Sequence, residues 1–205
     1  MKKPITNAAA VAAVISMLTM GMVATAAAPT TAPGQNKLQC FDGTTETIGF
    51  YGGTCTLTGK GAKGPATLDN TDGNINGSYS GVYILDSSQL NGKTIGSVTQ
   101  LSFSYTGTAT AGSPRFSLPI DTNGDSVTDF YAFVGAFYCN DGAGLVDAIN
   151  DSTCTIFAGS ESFANWAAMV AAHPAWTITD DYPFVIADDA GIWTVSNVKL
   201  GKGGK

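Results

Sequence analysis

The stretch that decides the fold runs Leu101-Ser102-Phe103-Ser104-Tyr105 and resumes at Arg115-Phe116-Ser117-Leu118-Pro119-Ile120. In an extended chain successive side chains point to opposite faces, so Leu101, Phe103 and Tyr105 share one face and the serines the other. Phe116, Leu118 and Ile120 repeat the pattern. A period of two over such runs predicts strands with one buried face. Working outward, short apolar runs recur at 37–41, 45–50, 54–58, 78–86, 98–105, 114–120, 128–139, 153–158, 175–179, 182–187 and 191–200. Between them lie Asp72-Gly73, Asn76-Gly77, Asn91-Gly92, Asn123-Gly124 and Asp141-Gly142, dipeptides that tight turns favour. Many short strands at this spacing predict a mainly β chain, a two-sheet antiparallel sandwich.

One segment departs from that period. Phe163, Trp166, Ala167, Val170 and Ala171 follow the helical series, predicting one short α-helix over 161–172. Ser160 or Ser162 is the expected N-cap, Glu161 a first-turn residue, and His173-Pro174 the stop. The aromatic stripe of this helix is read as core, covering an open end of the sandwich.

Composition narrows the function. Charged residues are 13% of the 205, about half the usual share, and 25 glycines help fill the gap. Acidic groups outnumber basic ones 16 to 10, which disfavours a phosphate-binding surface. A coiled coil, a collagen, a polytopic membrane protein and an ordinary nucleic-acid binder are excluded.

The N-terminus carries the parts of an export signal: Met1-Lys2-Lys3, an apolar stretch from Ala8 to Val23, and the small-x-small site Ala24-Thr25-Ala26. Residues 1–26 are therefore expected to be a cleaved signal peptide, 27–36 a flexible Pro/Thr/Ala linker, and 37–205 a single β-sandwich domain with no integral membrane segment. Losing Lys2 and Lys3 takes the formal charge from −6 to −8. In an exported chain the four cysteines read as disulfides. Cys40 with Cys55 and Cys139 with Cys154 is the most economical pairing, each bridge closing a local loop worth on the order of 3 kcal/mol. Zinc is a poor alternative, because there is no CxxC and His173 is the only histidine.

Explicit chemistry is concentrated in Asp121-Thr122-Asn123-Gly124-Asp125-Ser126-Val127-Thr128-Asp129. Asp121, Asn123, Asp125 and Asp129 place side-chain oxygens at alternating positions of a tight loop, with the Val127 carbonyl as a further donor. Calcium takes about six to eight such oxygens. The loop resembles the calcium loops of FG-GAP repeats and the first half of a dockerin or EF-hand loop. That resemblance implies one structural Ca²⁺. Two positions depart from it: Ser126 stands where glycine is usual, and Ala132 where an EF-hand has its bidentate glutamate. The competing reading is a polar hairpin turn that needs no ion.

From Gly81 to Leu200 the chain resembles secreted jelly-roll, lectin-like proteins of unassigned function. The resemblance rests on Gly112-Ser113-Pro114-Arg115-Phe116, Asn165-Trp166, Pro183-Phe184-Val185-Ile186-Ala187-Asp188 and Trp193-Thr194-Val195-Ser196-Asn197-Val198. It implies a fold and an extracellular or cell-surface location, not an activity. The favoured function is a non-catalytic binding module for polysaccharide or cell-surface glycan. Three tryptophans and seven tyrosines in a charge-poor chain suit stacking on sugars, with Tyr79, Tyr83, Tyr131 and Trp176 as expected exposed contacts. Arg115 is read as an ion pair with a nearby aspartate or a substrate clamp. The alternative is an adhesive surface protein that self-associates or binds a protein partner. An enzyme is disfavoured: no G-x-S-x-G precedes a helix, and His173 stands before Pro174. A secreted glycoside hydrolase would have to use Asp180, Asp181, Asp188 or Asp189, doublets that read as solvated turn charges.

Overall fold

The alternating runs pair into two antiparallel sheets. The computed structural model describes residues 36–46, 51–58, 64–110, 112–139 and 144–201. In chain order the strands are β1 (Leu38–Asp42), β2 (Thr54–Leu57), β3 (Ala66–Asp69), β4 (Ser80–Ile84), β5 (Gln100–Thr106), β6 (Arg115–Asp121) and β7 (Phe130–Gly135). They continue with β8 (Leu145–Asp147), β9 (Ile156–Ala158), β10 (Glu161–Phe163), β11 (Thr177–Ile178), β12 (Phe184–Ala187) and β13 (Ile192–Gly201). The larger sheet has the order β1-β4-β12-β6-β7-β9-β10, with β11 also on β6. The smaller runs β2-β3-β13-β5-β8. The two-sheet sandwich expected from the period of two is the architecture found.

Leu101 and Phe103 of β5, Phe116, Leu118 and Ile120 of β6, and Trp193 and Val195 of β13 all point into one core between the sheets. Cys40 is joined to Cys55 and Cys139 to Cys154, each across a separation of 15 residues. The first bridge ties β1 of the larger sheet to β2 of the smaller, and the second ties the segment after β7 to the approach to β9. Two disulfides suit an oxidising compartment. Among the described residues no helix is long and apolar enough to cross a membrane.

Several elements differ from the sequence reading. The helix is shorter than expected, α2 (Trp166–Ala172), because Asn165 rather than a serine caps it, its side chain accepting from the Ala168 amide at 2.9 Å. Residues 161–163, expected as its first turn, form β10 and pair with β9 instead. Of the expected stripe Trp166 is buried and Phe163 and Val170 are half-buried, whereas Ala167 and Ala171 are exposed; Met169, outside that series, is the other buried residue of the helix. Gly43–Glu46 forms a helical turn, α1, where a strand was expected to begin at 45. Residues 47–50 of that expected strand, the expected signal peptide and 27–35 of the expected linker lie outside the described residues. Asn36 belongs to the fold: it is buried, and its Oδ1 accepts from the Leu200 amide at 2.7 Å while Nδ2 donates to Asp86 at 2.9 Å.

Candidate functional site

The outer face of the larger sheet, away from the core, is built of aromatic rings. Strand register places Gln39, Tyr83, Phe184, Ser117, Phe133 and Phe157 in one row across β1, β4, β12, β6, β7 and β9. The adjacent row holds Phe41, Gly81, Ile186, Arg115 and Gly135. Tyr131 stands opposite Pro119 in the next. Phe41, Phe184 and Ile186 form a second apolar cluster, separate from the core, with Tyr79, Tyr83 and Tyr131 packed against it. Rings touch in succession. Phe41 lies 4.3 Å from Tyr83 and 5.6 Å from Phe184, and Tyr131 lies 5.2 Å from Phe184. Tyr51 and Tyr182 extend the cluster at its edges and are 40% and 52% exposed. Offset and edge-on pairs of this kind hold a platform rigid while leaving ring faces at its margin available.

Of the residues expected as exposed contacts, the structure brings Tyr79, Tyr83 and Tyr131 together on this platform, each half-buried rather than exposed. Trp176 is a correction. Expected to be exposed, it is 8% exposed and belongs to the main core, with Phe130 edge-on at 5.3 Å and the His173 ring stacked on it at 3.7 Å. Its position directly after α2 folds the indole under the helix end rather than onto a strand face. Burial raises the Tyr131 hydroxyl to about 12, and the nearby Asp181 carboxylate adds to the shift.

Arg115, the only arginine, pairs through both terminal nitrogens with Asp188, at 2.6 Å for Nη2, and also donates to the Gly112 carbonyl. Its guanidinium lies 5.2 Å from the centre of the Phe133 ring. Ser113 Oγ accepts from the amides of Asp188 and Asp189 at 2.8 and 2.9 Å, fixing the partner carboxylate. Beside this pair Gly112, Arg115, Phe133, Tyr138 and Phe157 line an open cleft of about 260 Å³.

The acidic loop between β6 and β7 is organised by its own backbone. Asp121 Oδ1 accepts from the amides of Asn123 and Gly124, and Oδ2 from Ser126. Asn123 accepts from the Asp125 amide, Asp125 from Val127 and Asp129 from Thr122. Burial opposes ionisation of Asp121, but the three amides and the Thr177 hydroxyl together outweigh it and hold the carboxyl below its usual value. Ser126 adopts φ 67°, the left-handed conformation that glycine supplies in calcium loops, so the serine does not prevent the coil. The donor chemistry, all oxygen, suits calcium. The carboxylates of Asp121, Asp125 and Asp129, however, do not gather within 4.8 Å of one another. Among the described residues only Cys139, Asp151 and Cys154 do so, and those two sulfurs are bonded to each other.

A second loop escaped the sequence reading. The dipeptides Asp72-Gly73 and Asn76-Gly77 predict two separate turns, yet Asp72-Gly73-Asn74-Ile75-Asn76-Gly77-Ser78 repeats oxygen side chains at alternating positions. Asp72 accepts from the Ser78 hydroxyl, from the Gly53 amide at 2.7 Å and from Asn74 at 3.2 Å. Those three bonds, the Ser78 one foremost, hold its carboxyl below the usual range. The spacing Asp-x-Asn-x-Asn-Gly was the signal that would have revealed it. Its task in the fold is to dock the segment before Tyr79 against Gly52 and Gly53, beside the aromatic platform. Compared with family models, curated proteins and solved structures, the chain matches none.

Proposed function

We propose that this chain is a non-catalytic extracellular binding module whose aromatic platform takes carbohydrate. The observation that carries the reading is the group of tyrosine rings on the outer face of the larger sheet, half-buried Tyr79, Tyr83 and Tyr131 with exposed Tyr51 and Tyr182 at the edges, packed on the buried rings of Phe41 and Phe184. Sugar rings present flat C–H faces to aromatic rings and neutral hydroxyls to tyrosine oxygens, so affinity needs little charge. The acidic balance of the chain favours neutral over anionic glycans.

Calcium is proposed as a structural ion of the Asp121–Asp129 loop. Support comes from the all-oxygen donor set and the left-handed turn at Ser126. Binding exchanges the amide contacts of Asp125 and Asp129 for contacts to the ion and implies no catalysis by it.

A panel of immobilised glucan, xylan, mannan and chitin oligosaccharides tests the reading. Binding by the wild type, weakened in Tyr83→Ala and Tyr182→Ala, is expected. Retention of no member of the panel overturns it. The second reading, self-association through the same face, is favoured by Tyr51 and Tyr182, two large rings left exposed at its margin. Sedimentation of the wild type beside Tyr182→Ala separates the two: a dimer lost in the variant supports self-association.

A further inference from the structure

Resting on the glycan reading, we infer that the cleft beside Arg115 is the subsite that grips one neutral sugar ring at the end of the bound chain. The cleft opens on the same outer face as the platform. Arg115 stands next to Ile186 across β6 and β12, and Phe133 next to Ser117 across β7 and β6. At about 260 Å³ it is small beside ordinary ligand pockets, so it holds one ring rather than a run of them.

Its walls supply both halves of sugar recognition. Tyr138 and Phe157 meet edge to face at 4.7 Å and offer half-buried ring surface to the C–H face of a pyranose. The Arg115 guanidinium has five N–H donors in a fixed fork. Its bonds to Gly112 and Asp188 use three, so Nε and one Nη2 hydrogen remain to donate to neighbouring hydroxyls. The fork is held by Asp188 and by the Phe133 ring beneath it, and Asp188 by Ser113, so little ordering is left for the ligand to bring about.

Neutrality follows from the same pair. Asp188 matches the charge of Arg115, and among the described residues no lysine lines the cleft. A uronate entering it would face the Asp188 carboxylate with no surplus cation to offset the repulsion.

Calorimetric titration of the full chain tests this with the neutral oligosaccharides of the panel and their uronate-bearing counterparts. The wild type should bind a neutral ligand and reject its uronate counterpart. Tyr138→Ala and Phe157→Ala should each weaken binding about tenfold, the scale of one lost aromatic contact. Asp188→Asn, which leaves the guanidinium unmatched, should admit the uronate. Wild-type preference for the uronate overturns the inference. So does binding that survives unchanged in Tyr138→Ala and Phe157→Ala while Tyr83→Ala weakens it, a result that leaves the platform reading standing. A wild type that binds nothing overturns both.

Discussion

Phe41 lies across the space that Gly81 leaves open. The two stand opposite each other in the β1–β4 register, and a Cβ on Gly81 would run into Cζ of the ring and into the Val185 carbonyl. Glycine weakens a strand interior and tends to mark places where another group approaches closely. Here that group is the ring at the centre of the platform.

Gly81→Ala should therefore lift Phe41 off the sheet and disturb its contacts with Tyr83 and Phe184. Overpacking of this kind costs about 1–3 kcal/mol, to be read as a lower denaturant midpoint at unchanged slope. Weaker glycan binding should accompany it. An unchanged midpoint would mean that the ring and the Val185 carbonyl both give way without loss.

Ser117 bears on the same face. It is 0% exposed, and its hydroxyl has no hydrogen-bond partner although it stands between Phe184 and Phe133. An unsatisfied buried hydroxyl costs about 1–3 kcal/mol, so Ser117→Ala should be neutral or stabilising in urea unfolding. Destabilisation would show that the hydroxyl has a partner in solution.

How far the sequence reveals this molecule depends on the range over which its information acts. The alternation in 101–105 and 115–120 is local, and so are the two disulfides, each closing a short loop; all were legible. The sequence does not predict β3, because Ala66–Asp69 is too short to carry a period, or β10, because Phe163 also fits the helical series of Trp166 and Val170. The platform was illegible for a different reason. Tyr83 and Phe184 are far apart in sequence and meet only because β12 inserts between β4 and β6. Ser117 and Pro119 alternate with the core residues Phe116, Leu118 and Ile120 and so face outward, yet both are buried beneath that arrangement. Individual tyrosines could be nominated from the sequence, but their shared surface required the strand order.

Tyr131 gives the platform a titration signature. Burial, with Asp181 second, raises its hydroxyl from the ordinary value of 10.0 to about 12. A raised pKa means that the folded state holds the proton more tightly than the unfolded chain. The stability this contributes is fully present below about pH 10 and is lost as pH rises through about 12. Ultraviolet titration should show a phenol that ionises late, at about pH 12, and this lag should be absent in Tyr131→Phe. In Asp181→Asn the lag should shrink but persist, because burial is the larger cause. A lag abolished by Asp181→Asn would reverse that order of causes.

Calcium should act on the same chain through the loop that joins β6 to β7. A ligand that binds only the folded state stabilises it by RT ln(1 + [L]/Kd), about 2.7 kcal/mol at a hundredfold excess over Kd. The loop residues should then divide into two kinds. Asp121 is buried and holds the Asn123, Gly124 and Ser126 amides, so Asp121→Asn should lower the melting temperature in EDTA as well as in calcium. Its depressed carboxyl pKa adds a pH signature. The stability gained from its ionised form is present above the ordinary carboxylate range and lost as pH falls through the lower folded value. The gap between wild type and Asp121→Asn should accordingly narrow in acid. Asp125 and Asp129 are different, since each holds an exposed part of the loop through Val127 or Thr122. Asp125→Ala and Asp129→Ala should melt close to the wild type in EDTA and fail to gain when millimolar calcium is added. A wild type that melts at the same temperature with EDTA and with calcium removes the ion from the account and leaves Asp121 as the anchor of a turn closed by its own amides.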